Sequence, residues 1–339
     1  MYSQLFLFCA CALGLVLADY EPYRPEHAEH HFERFIQDHG RSYAHEEEKK
    51  VRFQVFKDNL NRANYLNQKS GSKMFGITRF SDLTQTEFAE TYTGLKVPSD
   101  GELHGEKHCP FFDTSDLPVN VPESFDWRDY GVVSPVKSQS TCGSCYAFSA
   151  IGNIESQYAK KHKQHVLLSE QQIVDCDMEN NGCCGGFVSV AFKTLMEQGG
   201  PMTEEDYPYV GKVQSCKLDE RMVRVRMAGC RSYNISCQND LKKILLAHGP
   251  ISVALKATNL NLYKGGVEGI IDDDICDVGG LNHAVLVVGY GNENGKPYWI
   301  LKNSWSESWG EDGFFRVQRG PHAQSCGMIN PWMASAIVE

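Results

Sequence analysis

The chain has 339 residues, enough for two domains or one large one, and a formal net charge of −10. That acidity argues against a nucleic-acid surface, and no apolar run is long enough to span a bilayer comfortably. Thirteen cysteines suit an oxidising route, and nothing in the composition calls for a metal or an organic cofactor.

Residues 5–17 are almost entirely apolar, and Val16-Leu17-Ala18 ends in a small residue before Asp19. This reads as a signal peptide over 1–18, although no Lys or Arg precedes the apolar run. Cys9 and Cys11 would leave with it. The next stretch, to about residue 95, is highly charged and helical in pattern. One face of it carries Glu48, Arg52, Phe56, Asn59, Ala63 and Asn67, at steps of three and four. Taken alone, that periodicity describes an amphipathic helix with surface ion pairs. Gly76-Ile77-Thr78-Arg79-Phe80-Ser81-Asp82 follows. Residues 96–120, rich in Pro, Gly, Asp and Ser, read as an exposed linker open to nicking.

The remainder changes character midway. Helical patterns cover 147–161, 169–175 and 188–198, with Ser169-Glu170 as a helix start. After Gly249-Pro250 the patterns become strands, at 251–255, 284–290, 298–302 and 314–318. A helical half followed by a β half predicts an α+β chain of two subdomains with a cleft between them. Asn234-Ile235-Ser236 is an N-glycan acceptor within a polar stretch, 231–240, that reads as surface loop.

The chemistry concentrates at Ser138-Gln139-Ser140-Thr141-Cys142-Gly143-Ser144-Cys145-Tyr146. A helical run begins at Cys145, so its sulfur sits where unpaired N–H groups and the helix dipole favour an anion, which lowers a thiol pKa. His283, in Leu281-Asn282-His283-Ala284, stands at the mouth of an apolar strand. Asn303 lies in Lys302-Asn303-Ser304-Trp305. Taken singly, such a His or Asn is usually structural. Cys142 and Cys145 could also form a redox pair, or half a zinc site with Cys183, Cys184 and His283. The redox reading expects a βαβ-type strand before the pair, and none is present. The zinc reading expects a second cysteine pair not needed for bridges. A secreted binding protein with a decayed site is a third alternative, which the retention of Gln139, Cys145, His283 and Asn303 opposes.

Taken together, these motifs resemble the papain family of cysteine proteases, of the cathepsin L/F type, over nearly the whole chain. Cys142-Gly143-Ser144-Cys145-Tyr146 fits that family's C-G-[SA]-C-[WY] signature, with His283 inside the expected window of roughly 130–150 residues downstream and Asn303 just past it. The 48–67 face is similar to the family's E-R-F-N-I-N prosegment motif, with Ala63 for Ile. Residues 76–82 are similar to G-x-N-x-F-x-D, with Thr78 for Asn. Val121-Pro122-Glu123-Ser124-Phe125-Asp126-Trp127-Arg128 resembles a mature N-terminus.

The resemblance implies a papain-like fold with a helical left part and a β-barrel-like right part, 117–339, behind an inhibitory helical prosegment and linker, 19–116. The mature chain would begin between 117 and 121. The prosegment would run through the cleft in reverse, keeping a secreted or lysosomal endopeptidase inactive. Cys145 would be the nucleophile, His283 its base, Asn303 the orienting group, Trp305 its shield and Gln139 the oxyanion-hole side chain. Gly185 and Gly186 would pair with extended substrate. Phe187, Val188, Ala254 and Leu281, with Pro331 or Trp332 at the end, would line an apolar S2 pocket.

Disulfides would join Cys142–Cys183, Cys176–Cys216 and Cys276–Cys326. That leaves Cys184, Cys230 and Cys237; Cys230 and Cys237 are near enough in sequence to bridge, with Cys109 or a partner chain available to Cys184. Protein and peptide substrates and cystatin-type inhibitors are the implied partners of a monomer. Three departures touch the site: Tyr146 for Trp, Ser140-Thr141 for a glycine-rich pair, and Ser306 for Gly. Most of the twelve histidines precede Leu117. Because both portions carry net negative charge, protonating those histidines would tighten their association, so carboxylates such as Asp82 and Glu48 are the expected release trigger.

Overall fold

The computed structural model describes residues 21–97, 108–114, 117, 120–235, 237–268, 280–320 and 333–339. The expected leader, 1–18, and the Cys276–Cys326 bridge lie outside them.

Three helices build the N-terminal part: α1, Ala28–Asp38; α2, Glu46–Ser70; and α3, Gln85–Tyr92. Phe32 and Phe35 of α1 bury against Phe56 and Leu60 of α2. The polar members of the α2 face are internal staples. Asn59 Nδ2 donates to the Ser81 and Leu83 carbonyls at 2.9 Å each. Asn67 donates to Phe75 O and accepts from the backbone of Met74 and Phe75 at 2.8–2.9 Å. Buried backbone groups need partners, so each asparagine fixes a turn that no regular element supports. Glu48 accepts from Ala44 N at 2.6 Å. The partner of Arg52 is Glu87, at 2.8 and 2.9 Å.

The larger part begins with β1, Phe125–Asp126, and then three helices: α4, Cys145–His162; α5, Glu170–Cys176; and α6, Val188–Glu197. Ser169 caps α5, accepting from Gln172 N at 3.0 Å. Next come β2, Met227–Tyr233; α7, Gln238–His248; β3, Ile251–Leu255; β4, Val267–Glu268; β5, His283–Glu293; β6, Lys296–Lys302; β7, Phe314–Gln318; and β8, Met333–Val338. The sheet runs β2-β8-β3-β5-β6-β7-β4, with β1 on β5.

The predicted helices and strands stand within a few residues of expectation. Five elements of the larger part lacked a sequence signal: the short β1 and β4, and the longer β2, α7 and β8. The stretch 231–240 is therefore not one loop. Tyr233 ends a strand, Cys237 precedes a helix, and exposed Asn234 sits in the short connection between them.

One apolar core lies among the helices around Tyr146, Ile151, Ile173 and Phe192. Another lies on the sheet around Val253, Trp299, Leu301 and Phe315. Helix α4 is pinned between them by polar contacts. Ser149 Oγ donates to Val285 O at 2.8 Å, Asn153 Nδ2 to Pro250 O at 2.9 Å, and Ala336 N to Asn153 Oδ1 at 2.8 Å. These contacts hold the start of α4 beside the start of β5.

The cysteines depart from expectation at one bridge. Cys142–Cys183 and Cys176–Cys216 are joined, but Cys230 pairs with Cys109 across 121 residues rather than with nearby Cys237. Cys184 and Cys237 are free and exposed. The linker is thus not wholly exposed. Cys109 is fully buried, and Phe111 pairs in parallel with Ser232 of β2.

Candidate active site

Cys145 is the first residue of α4 and His283 the first of β5. The strand brings them together: the N–H of Ala284, next to His283, donates to Cys145 Sγ at 3.5 Å. Asn303 follows β6 and accepts from His283 Nε2 at 2.8 Å. A side-chain carbonyl only accepts, so Nε2 carries the proton and Nδ1 is the basic nitrogen. Nδ1 is buried and makes no hydrogen bond among the described residues. Trp305 stacks on the imidazole, with centroids 4.7 Å apart and planes 25° apart. It is itself walled by Phe80, Phe88 and Trp309.

Gln139 is fully buried beside this group. Its N–H donates to Ser304 O at 2.9 Å, its Oε1 accepts from Ser304 Oγ at 2.6 Å, and its Nε2 donates to Cys142 O at 2.8 Å. That bond uses one of the two Nε2 hydrogens. Sequence reasoning missed Tyr209, whose hydroxyl donates to Gln139 O at 2.8 Å and accepts from Ser144 Oγ at 2.7 Å. It also missed the buried ion cluster behind the site, where Lys137 meets Glu155 at 2.9 Å and Glu170 at 2.8 Å. Neither has a motif, because each is assembled from distant segments.

The N-terminal part occupies the cleft. Trp305 Nε1 donates to Tyr92 O at 2.9 Å. Gly94 and Leu95 donate to Asn282 O at 3.0 and 2.9 Å. Lys96 N donates to Gly186 O at 3.0 Å, and Gly186 N to Gly94 O at 2.8 Å, a parallel pairing. Only glycine fits at the crossing: a Cβ on Gly94 would fall 1.9 Å from Gly143 O. Leu95 is buried in the cluster that also holds Phe187, Val188, Ala254 and Leu281. Asn180 fixes the facing segment, accepting from Phe187 N at 2.8 Å. Pro331 and Trp332 lie outside the described residues.

This covering reverses the expectation for the thiol. The N–H groups around Cys145 favour its anion, but burial outweighs them and pushes the pKa up to about 12. Burial likewise lowers His283 to about 4 against the bond to Asn303. In the covered state, burial thus favours the uncharged form of both groups. With Cys142 tied to Cys183, there is no Cys142–Cys145 dithiol for redox exchange. Two of the noted departures, Ser140 and Ser306, stand at φ 54° and 74°. A left-handed residue other than glycine costs about 1–2 kcal/mol, which explains the expected glycines there.

Residues 121–336 match the family described as papain family cysteine protease, and residues 32–88 match the cathepsin propeptide inhibitor domain. The viral cathepsin of Heliothis zea nuclear polyhedrosis virus is 42% identical over 333 residues, covering 94% of this chain and 87% of that protein. The viral cathepsin of Bombyx mori nuclear polyhedrosis virus is 40% identical, covering 93% and 94%. Among solved structures, digestive procathepsin L2 from Tenebrio molitor larval midgut superposes with a TM-score of 0.83 at 36% identity, covering 91% of this chain and 99% of that one. The recombinant stem bromelain precursor gives 0.79 at 35% identity, covering 92% and 99%.

Proposed function

The chain belongs to the papain family of cysteine proteases and carries its own inhibitor domain, so it is a cysteine peptidase made as a zymogen; from that premise we infer that it is an endopeptidase working through Cys145, His283 and Asn303, with a preference for apolar P2 residues. The observation that carries this reading is the His283–Asn303 bond beside the Cys145 thiol, closed under residues 93–96.

Once the cleft opens, water reaches the pair and the burial penalty on both ions falls. His283 Nδ1 then takes the thiol proton. The sulfur anion is held by the N–H groups at the start of α4. It attacks the scissile carbonyl to form a C–S bond, and the oxyanion meets the free Gln139 amide hydrogen and the Cys145 N–H. His283 returns its proton to the leaving amine, and water then hydrolyses the thioester. Asn303 keeps the ring in the tautomer that this exchange needs, and Trp305 excludes water from that bond.

Leu95 supports the P2 preference, since it is a buried aliphatic side chain in the same apolar core as Phe187, Val188, Ala254 and Leu281. A charged P2 residue would be desolvated there without a partner, at a cost of several kcal/mol. Profiling mature enzyme on a peptide library should give Leu, Val or Phe as the best P2 residue. A peptide epoxide should label the enzyme once, at Cys145. Arginine as the best P2 residue, or label elsewhere, refutes this site assignment.

The secretory route rests on residues 1–18 and on three disulfides, which persist in oxidising compartments. Among the described residues, no helix is long and apolar enough to cross a membrane. An N-glycan belongs on exposed Asn234. Secreted native chain should gain gel mobility on glycosidase treatment, and Asn234→Gln material should not; equal mobility throughout would count against the glycan.

A further inference from the structure

The segment after the cleft-covering residues behaves as part of the enzyme, not of its inhibitor. Cys109 is fully buried and disulfide-bonded to Cys230 of β2. Ser232 N donates to Pro110 O at 3.0 Å and Phe112 N to Ser232 O at 2.9 Å, so the segment lies alongside β2. β2 ends the sheet, with β8 on its other side. An uncovered edge strand presents unpaired N–H and C=O groups, and this segment satisfies them. Phe112 packs edge-on to His248, with ring centroids 4.5 Å apart. Leu117 is buried in the same core as Trp127 and Leu245.

The disulfide constrains how the cleft can be freed. Suppose that the chain were cut only between 117 and 121, where the sequence resembles a mature start. Residues 93–96 would then remain covalently attached through Cys109–Cys230, some thirteen residues away along the chain. A tether of that kind keeps an inhibitor at an effective concentration in the millimolar range, so it rebinds rather than leaves. Lasting release needs a cut between Lys96 and Cys109. Hydrolysis there adds the elements of one water and leaves the disulfide intact.

We propose that the active enzyme retains Cys109–Phe112 as a disulfide-held strand covering the edge of β2. If a second cut falls at 117–121, that strand becomes a short separate chain on the same disulfide. The inference rests on maturation by proteolysis.

The test is the intact mass of enzyme activated at acid pH, where little thiolate is present to exchange disulfides, measured before and after reduction. The expected unreduced mass includes Cys109, and Cys230 resists alkylation until reductant is added. A mass unchanged in sequence content by reduction means that the chain starts before Cys109; loss of one peptide containing Cys109 means a second cut. Either supports the proposal. A shortened enzyme lacking Cys109, with Cys230 alkylated before reduction, overturns it while leaving the peptidase reading intact. A chain that cleaves a small peptide while still at precursor mass overturns the premise that a cut frees the cleft, and the proposal with it.

Discussion

The Cys145→Ala chain should persist as an uncut precursor, with peptidase activity lower by on the order of 10⁴–10⁶-fold, the scale seen when a nucleophile acting as a unit with its base is removed. Sγ is the only heavy atom lost; Cys142 and Cys183 are bonded to each other, and the other free thiols among the described residues, Cys184 and Cys237, are exposed. Deleting one small buried group should cost about 1 kcal/mol of stability or less. The melting temperature is therefore the control, since an activity loss of this size without a matching loss of stability identifies a chemical role. Substantial cleavage of peptide by the variant would refute the mechanism.

Asp82→Asn should loosen the inhibitor domain at neutral pH. Asp82 is buried and accepts from Arg41 Nη2 at 2.9 Å and from Tyr43 OH at 3.0 Å. Those bonds brace the turn 78–83, which meets the enzyme through the Thr78 hydroxyl on Asn261 O. An asparagine turns one acceptor into a donor facing donors. Hydrogen bonds to charged groups contribute about 1.5–3 kcal/mol, so the open fraction should rise roughly 10- to 100-fold. The readout is the initial activity of full-length precursor toward a small peptide at pH 7. An Asp82→Asn precursor as silent as the native one would sink the idea.

The pH dependence follows from groups on the same domain. The Arg52 guanidinium holds the Glu87 carboxyl below its usual range. A depressed carboxyl contributes stability above its unfolded value, near 4.5, and that contribution is lost as pH falls through the lower folded value. Burial also depresses half-buried His31 below 6.5, helped by the neighbouring His30 and His27 charges. The sign is the same: the folded domain favours the neutral ring, and stability is lost as pH drops below 6.5 and a proton binds. Net charge alone had the histidines tightening the complex. Desolvation of the His31 ring acts the other way, so loosening of the native precursor should begin below about 6.5 and deepen below about 4.5.

The sequence by itself determined whatever depends on local pattern. Helices α2 and α4 were legible because their apolar and polar positions recur at three and four residues. The central strands were legible because their apolar runs end in turn residues. The residues of the candidate site were legible because Gln139, Cys145, His283 and Asn303 each stand inside a short motif. Strand β8 was not, since the middle of Met333–Val338 is Ala-Ser-Ala with no alternation, and its strand state comes from pairing with β2 and β3. Nearness along the chain also misled on Cys230, whose partner lies 121 residues away. The ionisation of Cys145 went the same way: the helix start favours a thiolate, yet residues 93–96 exclude water and burial prevails. Pairing and dehydration are contributed by distant segments, so only the assembled chain could decide them.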